Sequence, residues 1–72
     1  MVQTVRTRKE VEHILKGFIL NYMPVEFKHN MQYFKVSVNK ERQQFEVDTV
    51  HDKKYYDSSW KLVDYVLEKC GY

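Results

Sequence analysis

The sequence predicts one small α+β domain over residues 1–72, in the order α-β-β-β-α, or α-β-β-α without the first short strand. Two helices pack on one face of an antiparallel sheet. Three observations predict it. Apolar residues at helical spacing run from Val11 to Tyr22, the period falls to two beyond Pro24, and helical spacing returns from Tyr56 to Cys70.

The first helix, over 8 to 22, is preceded by Thr7, which stands three residues before Glu10 as in a capping box. Val11, Ile14, Leu15, Phe18, Ile19 and Tyr22 share one face, and Pro24 ends the element because it cannot continue a helix. Residues 1–6 precede the cap with no periodic pattern and are expected as a flexible N-terminal tail. Val25 and Phe27, with His29 at the margin, alternate with Glu26 and Lys28, a short strand over 25 to 28. His29-Asn30 forms a tight turn, since Asn tolerates left-handed backbone.

Over 31 to 38, Phe34, Val36 and Val38 fall on one face and Tyr33, Lys35 and Ser37 on the other. Asn39-Lys40-Glu41-Arg42 separates this strand from 43 to 50, where Phe45, Val47 and Thr49 alternate with Gln44, Glu46 and Asp48. Without Gly in the link, a loop of about three to five residues is expected rather than a tight primed turn. His51 to Tyr55 reads as a polar connector. The second helix opens near Asp57, Ser58 or Ser59, carries Tyr56, Trp60, Val63, Val66, Leu67 and Cys70 on its apolar side, and stops at Gly71.

Closing these pieces brings Phe34, Val36, Val38, Phe45 and Val47 against Ile14, Leu15, Phe18, Ile19, Trp60, Val63 and Leu67. Trp60 is expected at the centre, with a truncation cost of about 3 to 5 kcal/mol. Tyr33, Lys35, Ser37, Gln44, Glu46 and Asp48 face outward, with Lys35 opposite Glu46 as a cross-strand pair. The order of elements and the length are also those of double-stranded RNA-binding domains. Those domains carry a basic cluster at the start of their second helix, where this chain has Asp57-Ser58-Ser59-Trp60-Lys61, so shared topology transfers no function.

Composition narrows the classes. An apolar share of 43% and a charged share of 31% describe a globular chain, and 15% aromatic residues supply large buried area to a short one. A single cysteine, Cys70, closes no intrachain disulfide, which points to the cytoplasm. Met1-Val2-Gln3-Thr4-Val5-Arg6 lacks the apolar core of a signal peptide, and no run of 18 apolar residues suits a membrane span.

Catalysis finds little support. Cys70 falls on an apolar helix face, where burial makes a thiol inert, and His13, His29 and His51 are expected at solvated positions without a partnered nucleophile. His29 and His51 with Asp48 or Asp52 could ligate zinc, but their spacing matches no specific motif and no metal is expected. The two glycines, Gly17 and Gly71, form no phosphate loop, so no cofactor is expected either.

Binding features are more numerous. Leu20 lies among polar neighbours on the first helix and Tyr65 lies between Lys61 and Lys69 on the second, as apolar anchors of a protein interface often do. The reading is a non-catalytic adaptor or regulatory module that binds another protein or its own copy. The alternative is nucleic acid, held by Arg6, Arg8, Lys9, Lys53 and Lys54 with Tyr55 stacking, although a net charge of +2 is low for that role.

Overall fold

The computed structural model describes residues 2–72. Strand β1 (Gln3–Thr4) is followed by helix α1 (Arg8–Asn21), strands β2 (Val25–His29), β3 (Gln32–Asn39), β4 (Gln44–Asp48) and β5 (Lys53–Tyr56), and helix α2 (Ser59–Lys69). The strands form one sheet in chain order. β2 to β5 are antiparallel neighbours, whereas β1 runs parallel to β2. The α+β class therefore holds, but the sheet is mixed and has five strands rather than two or three. A strand joined to its neighbour through a helix returns in the same direction, which is how α1 makes β1 parallel.

Both additional strands lie where alternation is too short to read. Within the segment expected as a tail, Gln3 pairs with Phe27 and Thr4 with Lys28, the Val5 N–H donates to the Lys28 carbonyl at 2.8 Å, and Val5 is buried. Met1 lies outside the described residues. The expected connector 51 to 55 becomes β5 from Lys53 onward, paired with β4. Two lysines suit this outermost strand, since charge discourages further edge pairing.

The capping box forms as expected. Glu10 N–H donates to Thr7 Oγ1, and Glu10 Oε1 accepts from the backbone N–H of both Thr7 and Arg6, each at 3.2 Å. The Arg6 N–H is the main cause holding the Glu10 carboxyl below its usual range. At the other end Tyr22 caps α1 in left-handed backbone, φ 56°, with its ring against Phe18 and Phe45.

Asn30 and Met31 link β2 to β3 with φ of 49° and 66°, the signs of a type I′ hairpin turn. Gly is the usual second residue of that turn, and Met31 takes the position instead.

One face of the sheet holds the core. Phe27, Phe34, Val36 and Val47 meet Val5, Val11, Leu15 and Phe18 from one side of the layer and Leu62, Val66, Leu67 and Cys70 from the other. The Phe27 and Phe34 rings stack at 5.2 Å between centroids. Trp60 is not among these residues: it is 63% exposed. Leu62, absent from the predicted apolar face, is fully buried instead. Two residues turn a helix by about 200°, so with Leu62 and Val66 directed at the sheet, Trp60 must lie on the far flank.

His29, expected in a solvated turn, is buried as the last residue of β2. The end of α2 explains it. Gly71, φ 88°, lets its own N–H donate to the Glu68 carbonyl while Tyr72 N–H donates to Leu67, a Schellman motif that turns the Tyr72 side chain back toward the sheet. Tyr72 Oη donates to the Arg6 carbonyl at 3.1 Å and so accepts from His29 Nε2–H at 2.9 Å. That chain of bonds fixes the tautomer and leaves His29 Nδ1 buried without a partner.

Two stability predictions follow from the packing. Leu62→Ala is expected to cost about 2 to 5 kcal/mol in urea unfolding, against about 0.5 kcal/mol for Trp60→Ala, reversing the expectation from sequence. Tyr72→Phe strands a buried His29 donor and is expected to cost about 1 to 3 kcal/mol. Equal costs for the Leu62 and Trp60 variants would place the helix in another rotation, and an unchanged midpoint for Tyr72→Phe would remove the latch.

Candidate functional site: two apolar ends

Chain direction assigns the exposed apolar side chains to two ends of the molecule. α1 finishes where β2 begins, and the antiparallel order returns β5 to that same end, where α2 starts. Leu20, Tyr22, Met23 and Trp60 all lie at that end, each more than half exposed. Leu20, predicted as an interface residue, stands on the side of α1 turned from the sheet. Tyr22 gives the group a rigid base, because its ring rests on Phe45 at 5.8 Å. Lys61 Nζ lies 5.7 Å from the centroid of the Trp60 ring.

The opposite end carries a cleft of about 310 Å³ between the β2–β3 turn, the β4–β5 loop and the last turns of α2. Met31, Tyr33, Val50, Asp52, Tyr65 and Lys69 contribute to its lining. Met31 is fully exposed and Val50 largely so. Tyr65, predicted to be exposed, is half-buried: its ring packs 5.6 Å from Tyr56, and Lys69 Nζ lies 5.8 Å from its centroid. Burial, and then the Asp52 carboxylate, push the Tyr65 phenol above its usual range. Sequence spacing could not distinguish this position from exposure, because β5, which supplies Tyr56, was hidden in the polar connector.

The proposed nucleic-acid residues are not brought together. Arg6, Arg8 and Lys9 follow β1 at one edge of the sheet, while Lys53, Lys54 and Tyr55 belong to β5 at the other. Four strand spacings, about 19 Å, separate those edges. Arg8 pairs with Glu12 at 3.3 Å, Lys53 reaches Asp48 at 3.8 Å and Glu46 at 4.0 Å, and the Arg42 guanidinium covers the Tyr55 ring at 4.0 Å. Phosphates would meet divided and partly neutralised cations.

The outer sheet face is a polar lattice. Its register sets Lys35 opposite Asp48 and Ser37 opposite Glu46, correcting the predicted Lys35–Glu46 pair by one step of the pleat. A row Glu26, Lys35, Asp48, Lys53 alternates in sign across four strands. Tyr33 Oη donates to Glu26 and Asn39 Nδ2 to Glu46, each at 3.1 Å. Desolvation, and then the neighbouring Glu46, raise the Asp48 carboxyl above its usual range despite Lys53.

No group of three metal-ligating side chains assembles among the described residues. His29 lies on the core face, Asp48 on the outer face and His51 in the exposed loop, so the imagined ligands are dispersed. Burial pushes the Cys70 thiol up, away from the thiolate a nucleophile needs. No described helix is long and apolar enough to cross a membrane. Comparison with protein-family models, with curated proteins and with solved structures returns no match.

A pH dependence follows from Asp48. A carboxyl whose affinity for protons is raised by folding opposes the fold once ionised, so its cost grows as pH rises through and above about 4. Asp48→Asn is therefore expected to melt higher than the parent at pH 7, with the difference closing by about pH 3. A lower melting temperature at pH 7 would mean that the Lys53 ion pair outweighs desolvation.

Proposed function

We propose that this chain is a non-catalytic adaptor or regulatory module that binds another protein through Leu20, Tyr22, Met23 and Trp60. The exposure of Trp60, the sole tryptophan of the sequence, carries the reading. A fold this small has few large side chains to stabilise its core, and placing a tryptophan outside it forgoes about 1.5 to 3 kcal/mol of burial. Association recovers that burial in a complex. Trp, Tyr and Met are also the types enriched at interface centres, and tryptophan is prominent among residues whose truncation weakens binding.

Their arrangement supports the same reading. Tyr22 is held by Phe18 and Phe45 and sits at the fixed cap of a helix, so little side-chain freedom remains to be lost on binding.

The test uses the intact chain with a photo-crosslinking residue at position 61, beside the Trp60 ring, or, as a control, at Lys9. A protein captured only from position 61 is then purified and titrated against the parent. Binding is expected to survive nuclease and vary little between 0.1 and 0.5 M salt, and to weaken at least about tenfold in Trp60→Ala and in Leu20→Ser. Binding that falls steeply with salt, disappears with nuclease and depends on Lys53 and Lys54 would replace this reading with nucleic-acid binding.

A further inference from the structure

We propose that a second copy of this chain docks on the cleft at the Met31 end, the two copies related by a two-fold axis, with Met31 of each entering the cleft of the other. This interface lies at the opposite end from Trp60, and the inference does not rest on the Trp60 reading.

The first ground is the conformation of Met31. It occupies a left-handed position, φ 66°, that costs a side-chain-bearing residue about 1 to 2 kcal/mol and costs Gly almost nothing. It is also completely exposed, so no contact within its own chain offsets the cost. A strained residue whose side chain touches nothing in the monomer is accounted for if the side chain acts elsewhere. Its unbranched thioether suits insertion into an irregular cleft where Val50 and the Tyr33 and Tyr65 rings stand among polar side chains.

The second ground is the arrangement of knob and hole. Met31 stands on the rim of the same cleft that Tyr33, Val50 and Tyr65 help to line. A two-fold interface requires one patch to complement itself, and an axis passing between the rim and the hollow sends each Met31 into the other copy. A knob remote from its hole would generate an open chain instead.

The third ground is charge. Lys69 lies over the Tyr65 ring and Asp52 bears on its phenol, yet neither takes part in an ion pair among the described residues. One cation and one carboxylate on the same rim give the patch no net charge, so two copies meet without repulsion. The two-fold operation brings each Lys69 to the Asp52 of its mate, making two equivalent pairs. A nucleic-acid or strongly acidic partner would leave Asp52 opposed by like charge, which is why the second copy is favoured.

Sedimentation equilibrium of the intact chain, from about 1 μM to about 1 mM, measures the association directly. The parent is expected to pass from monomer to dimer within that range. Met31→Gly is expected to raise the melting temperature of the monomer while weakening the dimer at least about tenfold, a combination that general destabilisation cannot produce. Asp52→Lys and Lys69→Glu are each expected to weaken the dimer, and the double variant to restore it, because only the pairing across the axis recovers opposite charges. A parent that remains monomeric at about 1 mM overturns the proposal, as does a dimer indifferent to Met31→Gly, to the charge swaps, or lost in Trp60→Ala. Failure of the dimer leaves the Trp60 reading standing, since that reading is tested by capture at position 61 and by the salt response.

Discussion

Five strands at about 4.8 Å spacing make a sheet about 19 Å wide, and two helices of about 10 Å diameter laid side by side cover that width once. This match governs what else the chain can do. With both helices on one face, the core is a single layer between them and Phe27, Phe34, Val36 and Val47, and there is no second apolar layer to receive surplus large residues. Leu20 on the back of α1 and Trp60 on the flank of α2 are consequences: neither has a neighbouring element to meet. The other face of the sheet must then satisfy water, which it does with a row of alternating charge and with side chains that cap one another's polar groups.

A fold one core layer deep depends on its margins. β1 contributes only two paired residues, yet it carries Val5 into the core and directs the chain into the capping box of α1. The far margin of that same corner is closed by Tyr72, whose hydroxyl joins the Arg6 carbonyl to His29. Segments separated by the length of the chain thus meet at one hydroxyl. Gly71 makes the meeting possible, since its left-handed backbone reverses the direction of α2 within one residue. Closing so long a loop costs conformational entropy, but that cost grows only slowly with length, and one well-formed bond network can hold it.

The parts legible in the sequence are those whose signal is repeated. α1 was legible because Thr7, Glu10 and six apolar positions agree, and β3 and β4 because alternation persists over at least five residues. β1 and β5 were not legible, as two to four residues give too little alternation and Lys53-Lys54 looks like a loop until an edge strand explains it. The apolar face of α2 was read correctly at Val63, Val66, Leu67 and Cys70 but not at its start, because Trp60 obeys helical spacing with Val63 and Leu67 just as Leu62 does with Val66, and only the sheet selects Leu62. His29 was misread because its burial depends on Tyr72, forty-three positions away. Of the candidate site, Leu20 was legible as an isolated apolar residue on a polar face, whereas the exposure of Trp60 and the left-handed backbone of Met31 became visible only in the structure.

Placing the two apolar regions at opposite ends has a consequence for binding that neither region has alone. If copies associate through the Met31 end, the ends bearing Trp60 point away from each other, and the assembly presents two identical contact surfaces. A partner with repeated motifs, or one that is itself dimeric, would then engage the second surface intramolecularly, so that weak individual contacts combine into tight binding without any new contact. A patch of four side chains is small beside interfaces that reach nanomolar affinity, which commonly involve about 20 to 30 residues on each side. Duplication by symmetry would in that case supply strength that four side chains alone do not, and would leave each single contact weak enough to exchange.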